Sequence, residues 1–309
     1  MTKIASLQAI AAAVLACGFS AAPAQAGTNR TWVSGHGADS GACTRAAPCK
    51  SFAFALTETN AGGEIDVLDP AGYGPVNITK AISIVNDGVG VATIGTTSGS
   101  AITINAGPTD SVHLRGLTID GLGSGSNGIL FTSGGNLAIE NCVIRGFTFA
   151  GLNISPSTTS SFSVSNTIAS NNGFDGIVVG PTGSAAVTGV LSNVAANNNG
   201  DGIVVIGSST TGALNVTVAD SVASNNSSNG LDAISANTAV MVRNSVASYN
   251  DNGLLAEVSA NLRVAHSVVT GNSVGVEADP STFPLSYGDN DLDGNANNNT
   301  VILLTIPTH

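Results

Sequence analysis

The stretch Asn244-Ser245-Val246-Ala247-Ser248-Tyr249-Asn250-Asp251-Asn252-Gly253-Leu254-Leu255 decides the fold of this chain. The same order returns along the sequence: a short run of small and β-branched residues, an asparagine, then a glycine followed by an aliphatic residue. Repeats 20–50 residues long are single supersecondary units that bury their apolar faces only by stacking on one another. The recurring glycines are Gly128, Gly151, Gly176, Gly202, Gly230, Gly253 and Gly275.

Each unit contains three short segments typical of β-strands. One unit supplies Ile203-Val204-Val205, then Leu214-Asn215-Val216-Thr217-Val218, and then Asp220-Ser221-Val222-Ala223-Ser224. Helical repeats need strong helix formers with a period near 3.6, whereas these segments are β-branched and alternate with a period of two. Leucine-rich repeats of this length would carry several leucines at fixed offsets. The sequence therefore predicts stacked parallel β-coils.

An asparagine follows each of five runs at a distance of two residues. In a parallel coil, equivalent positions of successive turns stack about 4.8 Å apart. We expect the side-chain amides to hydrogen-bond to one another in a ladder, which satisfies polar groups at an inward turn. The predicted members of this ladder are Asn172, Asn198, Asn226, Asn250 and Asn272.

The Asn-x-Val-Ala-Ser-x-Asn…Gly-Ile runs and the expected ladder resemble the pectin-lyase-like superfamily over residues 62–300. The resemblance implies an all-β fold, a single-stranded right-handed parallel β-helix that forms a solenoid of about ten coils. Residues 27–61 resemble the entry segment of exported bacterial β-helix proteins, with a strand, a cysteine loop and a short capping helix after Ser51. Residues 301–309 are predicted to be a C-terminal capping strand, and a monomer is expected.

Residues 1–26 have the pattern of a cleavable signal peptide. Lys3 precedes the apolar stretch Leu7 to Leu15, and Ala24-Gln25-Ala26 forms a small-residue cleavage site. No later apolar run reaches the roughly 20 residues of a transmembrane helix. A secreted or periplasmic protein, cut after Ala26, is predicted. In such an oxidising compartment, Cys43 and Cys49 are expected to form a disulfide across their short loop.

The charge of the chain limits its partners. The formal net charge is −11 and charged residues make up 9% of the sequence. An acidic surface repels phosphate backbones, which argues against nucleic acid as a partner. The same repulsion disfavours anionic polymers such as pectate unless bound cations bridge the like charges. A polysaccharide or cell-surface glycan remains the expected partner.

The residue patterns of known β-helix enzymes are largely absent. Of the polygalacturonase-like motifs, only Gly35-His36-Gly37 is present, and it precedes the repeats. The Trp-Ile-Asp-His and Arg-x-Pro-x-x-Arg patterns of pectate-lyase-like chains do not occur, and Trp32 is the one tryptophan. These absences argue against both named activities.

Two stacked carboxylates are the candidate catalytic residues. Asp175 and Asp201 occupy the position before the strand glycine in adjacent coils, so their side chains are expected about 5 Å apart. This spacing suits a retaining glycosidase pair or a cation site. Alternatively, the position needs only a turn residue, because Asn127, Asn229 and Asn252 occupy it in other coils.

A calcium site is a further candidate. Asp289, Asp291 and Asp293, followed by Gly294, reproduce the first half of an EF-hand loop. The twelfth position is Thr300 rather than glutamate, and no helices are predicted beside the loop. Asp-rich glycine turns bind Ca²⁺ in other extracellular repeats, whereas a plain turn explains the same residues.

Three functions fit these patterns. The first is an exported, non-catalytic glycan-binding or structural surface protein, favoured by the regular repeats, with Asn153, Asp232 and Glu277 as exposed glycan contacts. The second is a polysaccharide lyase or glycoside hydrolase with a non-standard site at Asp175 and Asp201. The third is a calcium-stabilised, adhesin-like module. Because all three rest mainly on analogy of fold, the sequence leaves the reaction open.

Overall fold

The chain folds into a parallel β-solenoid of about nine turns, slightly fewer than the ten predicted. The computed structural model describes residues 27–280 and 282–307, so the predicted signal peptide lies outside the described residues. The helix α1 spans Phe52–Glu58. The strands are β1 (Thr28–Val33), β2 (Thr59–Val67), β3 (Ala71–Gly72), β4 (Val76–Ile78), β5 (Ile82–Val85), β6 (Ala92–Gly95), β7 (Ile102–Asn105), β8 (Ser111–Arg115), β9 (Leu117–Asp120), β10 (Asn127–Ser133), β11 (Asn136–Glu140), β12 (Val143–Arg145), β13 (Ala150–Ile154), β14 (Ser160–Ser170), β15 (Asp175–Val179), β16 (Val187–Asn197), β17 (Asp201–Ile206), β18 (Leu214–Ala219), β19 (Val222–Ser224), β20 (Asn229–Ile234), β21 (Thr238–Arg243), β22 (Val246–Ser248), β23 (Asn252–Glu257), β24 (Asn261–Ala265), β25 (Val268–Thr270), β26 (Val274–Ala278), β27 (Leu285–Ser286), β28 (Asp291–Leu292), β29 (Asn297–Asn299) and β30 (Leu304–Thr305).

The strands lie in two sheets. A ten-stranded sheet takes one strand from each coil, in the order β4-β7-β10-β13-β15-β17-β20-β23-β26-β29. A twenty-stranded sheet contains the other strands, and most coils supply two segments to it. Neighbouring strands are parallel and in matched register; for example, Ile177 pairs with Ile203 and Val178 with Val204. Successive coils therefore place equivalent residues in columns along the solenoid.

The core is a narrow stack of aliphatic columns. Within the ten-stranded sheet, one inward column is almost completely buried, and each such side chain contributes about 1.5–3 kcal/mol through removal from water. This column consists of Ile129, Leu152, Ile177, Ile203, Leu231, Leu254 and Val276. Along each strand, the residue that follows a column member points to the outer face of the sheet, as Val178 does after Ile177. The candidate site lies on this outer face.

The recurring glycine makes the coil compact. A Cβ atom built on Gly202 would lie 2.5 Å from the carbonyl oxygen of Gly230 and 2.7 Å from Nδ2 of Asn226. Only a residue without a side chain allows two coils to approach this closely at that point. The glycine thus marks where the chain turns from the asparagine corner into the ten-stranded sheet.

The asparagine ladder exists, with one change from the prediction. The backbone N–H and the side-chain amide of each member donate to Oδ1 of the next, over 2.8–3.2 Å. Asn199 takes the position predicted for Asn198. Asn197 is the register partner of Ser170, so the residue equivalent to Asn172, two positions after Ser170, is Asn199. Asn198 instead adopts a left-handed backbone conformation with φ of 57°. The members are Asn172, Asn199, Asn226, Asn250, Asn272 and Asn295.

The N-terminal segment covers the first coil. Ser51 caps α1 by accepting a hydrogen bond from the backbone N–H of Phe54, and the helix ends at Glu58, earlier than the predicted Gly62-Gly63. The buried ring of Phe52 packs against Tyr73, with ring centroids 4.9 Å apart. The capping helix is therefore confirmed. At the other end, β30 pairs with β27, and a capping role for residues 301–309 stays a prediction.

Cys43 and Cys49 form the expected disulfide, closing a loop with a sequence separation of six. Replacing both cysteines with serine is expected to lower the free energy of unfolding by about 2 kcal/mol, since a closed loop of this length restricts the unfolded chain. Denaturant unfolding of the two proteins checks this value. A reducing agent should destabilise the native protein and leave the variant unchanged; equal stability without reductant would contradict the prediction.

Candidate functional site

The outer face of the ten-stranded sheet carries a group of carboxyl groups, which we call the carboxylate face. They project from five consecutive strands, β15, β17, β20, β23 and β26, and from the residue after β26. Among the residues described, the ion pairs formed by arginine and histidine all lie elsewhere. The carboxyl groups belong to Asp175, Asp201, Asp232, Glu257, Glu277 and Asp279.

Asp175 and Asp201 lie side by side, as the sequence predicts. They are register partners at the start of β15 and β17. Burial, together with the charge of Asp201, raises the pKa of Asp175 to about 6. Oδ1 of Asp201 accepts a hydrogen bond of 2.8 Å from the backbone N–H of Asn229, which fixes this carboxylate against the next coil. A catalytic role for the pair stays a prediction.

Asp232 was expected to be an exposed contact, and the structure shows that it is buried. Its exposed fraction is 6%, because its register neighbours Val204 and Leu255 flank it on both sides. Among the residues that the structure describes, no donor reaches its Oδ1 atom. Burial raises the pKa of Asp232 to about 8, with further contributions from the charges of Glu257 and Asp201, so the carboxyl is protonated at neutral pH.

Of the other two predicted contacts, Glu277 belongs to the carboxylate face and Asn153 lies one strand before it. Asn153 is half-buried and donates a 3.4 Å hydrogen bond to Oδ1 of Asn127. Glu277 is half-buried and lies beside Leu255 in register. Burial, followed by the charges of Asp279 and Glu277, raises the pKa of Glu257. The face thus combines carboxyl groups of different proton affinity with side-chain amides.

An exposed aromatic pair, missed at the sequence level, adjoins the face. Phe149 and Phe174 precede β13 and β15, and their ring centroids are 5.7 Å apart. Their exposed fractions are 41% and 61%, so the two rings together form an exposed apolar patch. Each lies two residues before a repeat glycine, Gly151 and Gly176, and this shared position was the available signal. Phe174 is followed directly by Asp175, so the rings border the carboxylate face.

The aspartates of the predicted calcium loop serve different partners. Asp289 accepts from the backbone N–H of His266 and contacts its Nδ1, both at 3.0 Å. Asp291 lies in β28 beside Val268, and Oδ1 of Asp293 accepts from the backbone N–H of Gly294 at 2.8 Å. Within residues 27–280 and 282–307, no group of three or more His, Cys, Asp or Glu is arranged to hold a metal. Calcium binding stays a prediction.

Comparison with known proteins identifies the fold. No protein-family model matches the chain, and no curated protein matches it. The chain is similar to the solved structure of pectate lyase Pel9A, with a TM-score of 0.61, 16% identity, and coverage of 84% of this chain and 74% of that one. It is also similar to the A-module of mannuronan C-5 epimerase AlgE6 from Azotobacter vinelandii, with a TM-score of 0.61, 20% identity, and coverage of 76% and 68%.

The A-module of a second Azotobacter vinelandii mannuronan C-5 epimerase, AlgE4, aligns with a TM-score of 0.50 and 14% identity, covering 80% of this chain and 91% of that one. At these identities the similarity concerns the fold. The chain shares the parallel β-helix fold of these solved structures. None of the helices described is long and apolar enough to cross a membrane.

Proposed function

We propose that this chain is an exported protein that binds a neutral polysaccharide along the carboxylate face, beside Phe149 and Phe174. The observation that carries the proposal is the exposed aromatic pair, with its 5.7 Å centroid spacing, at the border of a polar face. Solvent-exposed rings offer an apolar surface on which a sugar ring packs. Carboxyl and amide groups next to them supply donors and acceptors for sugar hydroxyls.

The shape of the sheet supports a polymeric ligand. Successive strands stack about 4.8 Å apart, so equivalent side chains repeat along the solenoid axis and present a long, regular surface. The similar solved structures are named for pectate and mannuronan, which supports a carbohydrate ligand.

The charge favours a neutral sugar for this chain. Asp201 and its neighbours present several carboxyl groups, and no lysine or arginine among the described residues pairs with them. An anionic polymer would bring like charges together on a half-buried surface, where screening by salt is weak.

Replacing Phe174 with alanine is expected to weaken retention on the bound polymer about tenfold, equivalent to about 1.4 kcal/mol of lost ring contact. The measurement is depletion of the protein from solution by insoluble neutral polysaccharides at increasing polymer concentration. Phe283→Ala is the matched control, because Phe283 is also 51% exposed and follows β26 outside the aromatic pair. Equal loss in both variants, or no retention of the unmodified protein, would contradict the proposal.

A further inference from the structure

Asp232 lies between two other carboxyl groups on consecutive coils. Asp201 precedes it on β17, and Glu257 follows it on β23. Although its side chain points outward onto the carboxylate face, the flanking Val204 and Leu255 leave the residue only 6% exposed and Oδ1 without a partner. A buried carboxyl oxygen without a hydrogen-bond partner is costly, and a buried carboxyl group among like charges is a candidate functional group.

We propose that the carboxylate face hydrolyses glycosidic bonds of the bound neutral polysaccharide, with Asp232 as the proton donor and Glu257 as the general base. This inference rests on the proposed glycan binding and adds a reaction to it. The carboxyl proton of Asp232 passes to the glycosidic oxygen as the bond from that oxygen to the anomeric carbon breaks. The carboxylate of Glu257 removes a proton from a water molecule, whose oxygen bonds to the anomeric carbon. One water is consumed, and proton return from Glu257 to Asp232 through solvent completes the cycle.

The positions of the two residues fit this division of roles. Glu257 is the register partner of Ile234, so it lies one coil on and two residues further along the strand than Asp232. With a rise of about 3.3 Å per residue and a strand spacing of about 4.8 Å, their Cα atoms are roughly 8 Å apart on the same face. Inverting glycosidases hold their two carboxyl groups about 6.5–9.5 Å apart, which leaves room for the attacking water. A Cα separation of this size allows the two carboxyl groups to reach the spacing of an inverting pair, and direct attack by water is expected to invert the anomeric carbon.

The proton affinity of Asp232 supports its role as the acid. Burial raises the pKa of Asp232 to about 8. The negative charges of Glu257, Asp201, Asp175 and Asp279 also raise it, and no cation among the described residues lowers it. A carboxyl group that keeps its proton at neutral pH can act as a general acid, while a neighbouring ionised carboxylate acts as the base. Activity is therefore expected to fall as the pH rises through about 8, because the Asp232 proton is lost there.

The test measures new reducing ends and unsaturated products released by the full chain from four neutral polymers, with pectate and alginate as anionic comparisons. The neutral polymers are cellulose, xylan, mannan and β-1,3-glucan. Asp232→Asn is expected to lower kcat by about 10²–10⁴-fold while retention on the same polymer is unchanged. Glu257→Gln is expected to lose a similar factor, and added azide should restore bond cleavage by replacing the activated water. Asp251→Asn, an exposed carboxyl at the turn before β23, is the matched control and should keep full activity.

The outcomes separate binding from catalysis. No retention on any neutral polymer would refute the proposed function itself. Retention without reducing ends, or turnover that survives Asp232→Asn, would overturn the hydrolytic inference and leave glycan binding intact. Unsaturated sugar products, or turnover confined to pectate and alginate, would also overturn it, because those results indicate elimination or an anionic substrate. Polarimetry or proton NMR of the first product should show inversion; retention of configuration would exclude Glu257 as the base for water.

Discussion

Replacing Asn226 with alanine is expected to lower the free energy of unfolding by about 4 kcal/mol. Oδ1 of Asn226 accepts hydrogen bonds from the backbone N–H and the Nδ2 group of Asn199, at 3.0 and 3.2 Å. Its own Nδ2 donates to Oδ1 of Asn250 and to the carbonyl of Ala196. The substitution leaves two buried donors on Asn199 without acceptors, and each such group costs about 1–3 kcal/mol.

The measurement is equilibrium unfolding in guanidinium chloride. Asn215→Ala is the matched control, since Asn215 is exposed on the outer face of β18 and should change stability by less than about 0.5 kcal/mol. A loss confined to a few tenths of a kcal/mol in Asn226→Ala would show that water enters the corner and satisfies the ladder from outside.

Replacing Asp232 with asparagine is expected to stabilise the protein at alkaline pH by several kcal/mol. Burial holds the pKa of Asp232 at about 8, against an ordinary value of 3.8. Because each unit of pKa difference corresponds to about 1.4 kcal/mol, ionising this group in the folded protein opposes folding by on the order of 5 kcal/mol. Asparagine has no charge to bury, so it escapes this cost although its amide must still be desolvated.

The sign of the pH dependence follows from proton binding. Between about pH 4 and pH 8 the folded state keeps the Asp232 proton and the unfolded state has released it. Stability of the native protein therefore falls as the pH rises through this window and levels off above it. Thermal unfolding at pH 4, 6, 8 and 9 should show that the gain in stability from Asp232→Asn is near zero at pH 4 and grows up to about pH 8. Because the pKa of Asp175 is about 6, the gain in stability from Asp175→Asn should level off near pH 6. A gain that is the same at all four pH values would contradict the predictions for both variants.

A stabilising substitution that abolishes function would show why the chain keeps Asp232. Natural proteins retain buried, unfavourable groups at sites where activity needs them, and replacing such groups commonly gains stability. The same variant therefore serves both tests: greater stability at high pH shows that loss of turnover does not come from unfolding.

The fold was readable from the sequence because its determinants are local and periodic. The glycine at the start of the repeat strands is required by the close approach of successive coils, as Gly202 shows. The member of the ladder between Asn172 and Asn226 was harder to assign, since Asn197, Asn198 and Asn199 offer three amides in a row. Composition does not distinguish them; only the backbone conformation decides which amide turns inward.

The site was only partly readable. The pairing of Asp175 with Asp201 follows directly from the repeat. The burial of Asp232 depends on two larger aliphatic neighbours, Val204 and Leu255, which belong to other coils and become neighbours only through the register. Phe149 and Phe174 share a position in the repeat, yet their contact depends on turn conformations that the spacing does not define.

The direction of the asparagine ladder has a consequence for how the chain is made. Each side-chain amide donates one hydrogen to the next member on the C-terminal side, as Asn172 does to Asn199. From Asn199 onward, the second hydrogen donates back to a carbonyl of the preceding coil, so the polarity lies in the amide-to-amide bonds. A second column, formed by Ser221, Ser245 and Ser267, has the same polarity: the backbone N–H of Ser221 donates to Oγ of Ser245, and that of Ser245 donates to Oγ of Ser267. A coil that emerges first from a ribosome or a membrane pore therefore has free amide donors. The next coil to emerge provides the oxygen atoms that accept from them. We expect folding to advance vectorially, from the α1 cap towards the C-terminus, as the polypeptide is delivered.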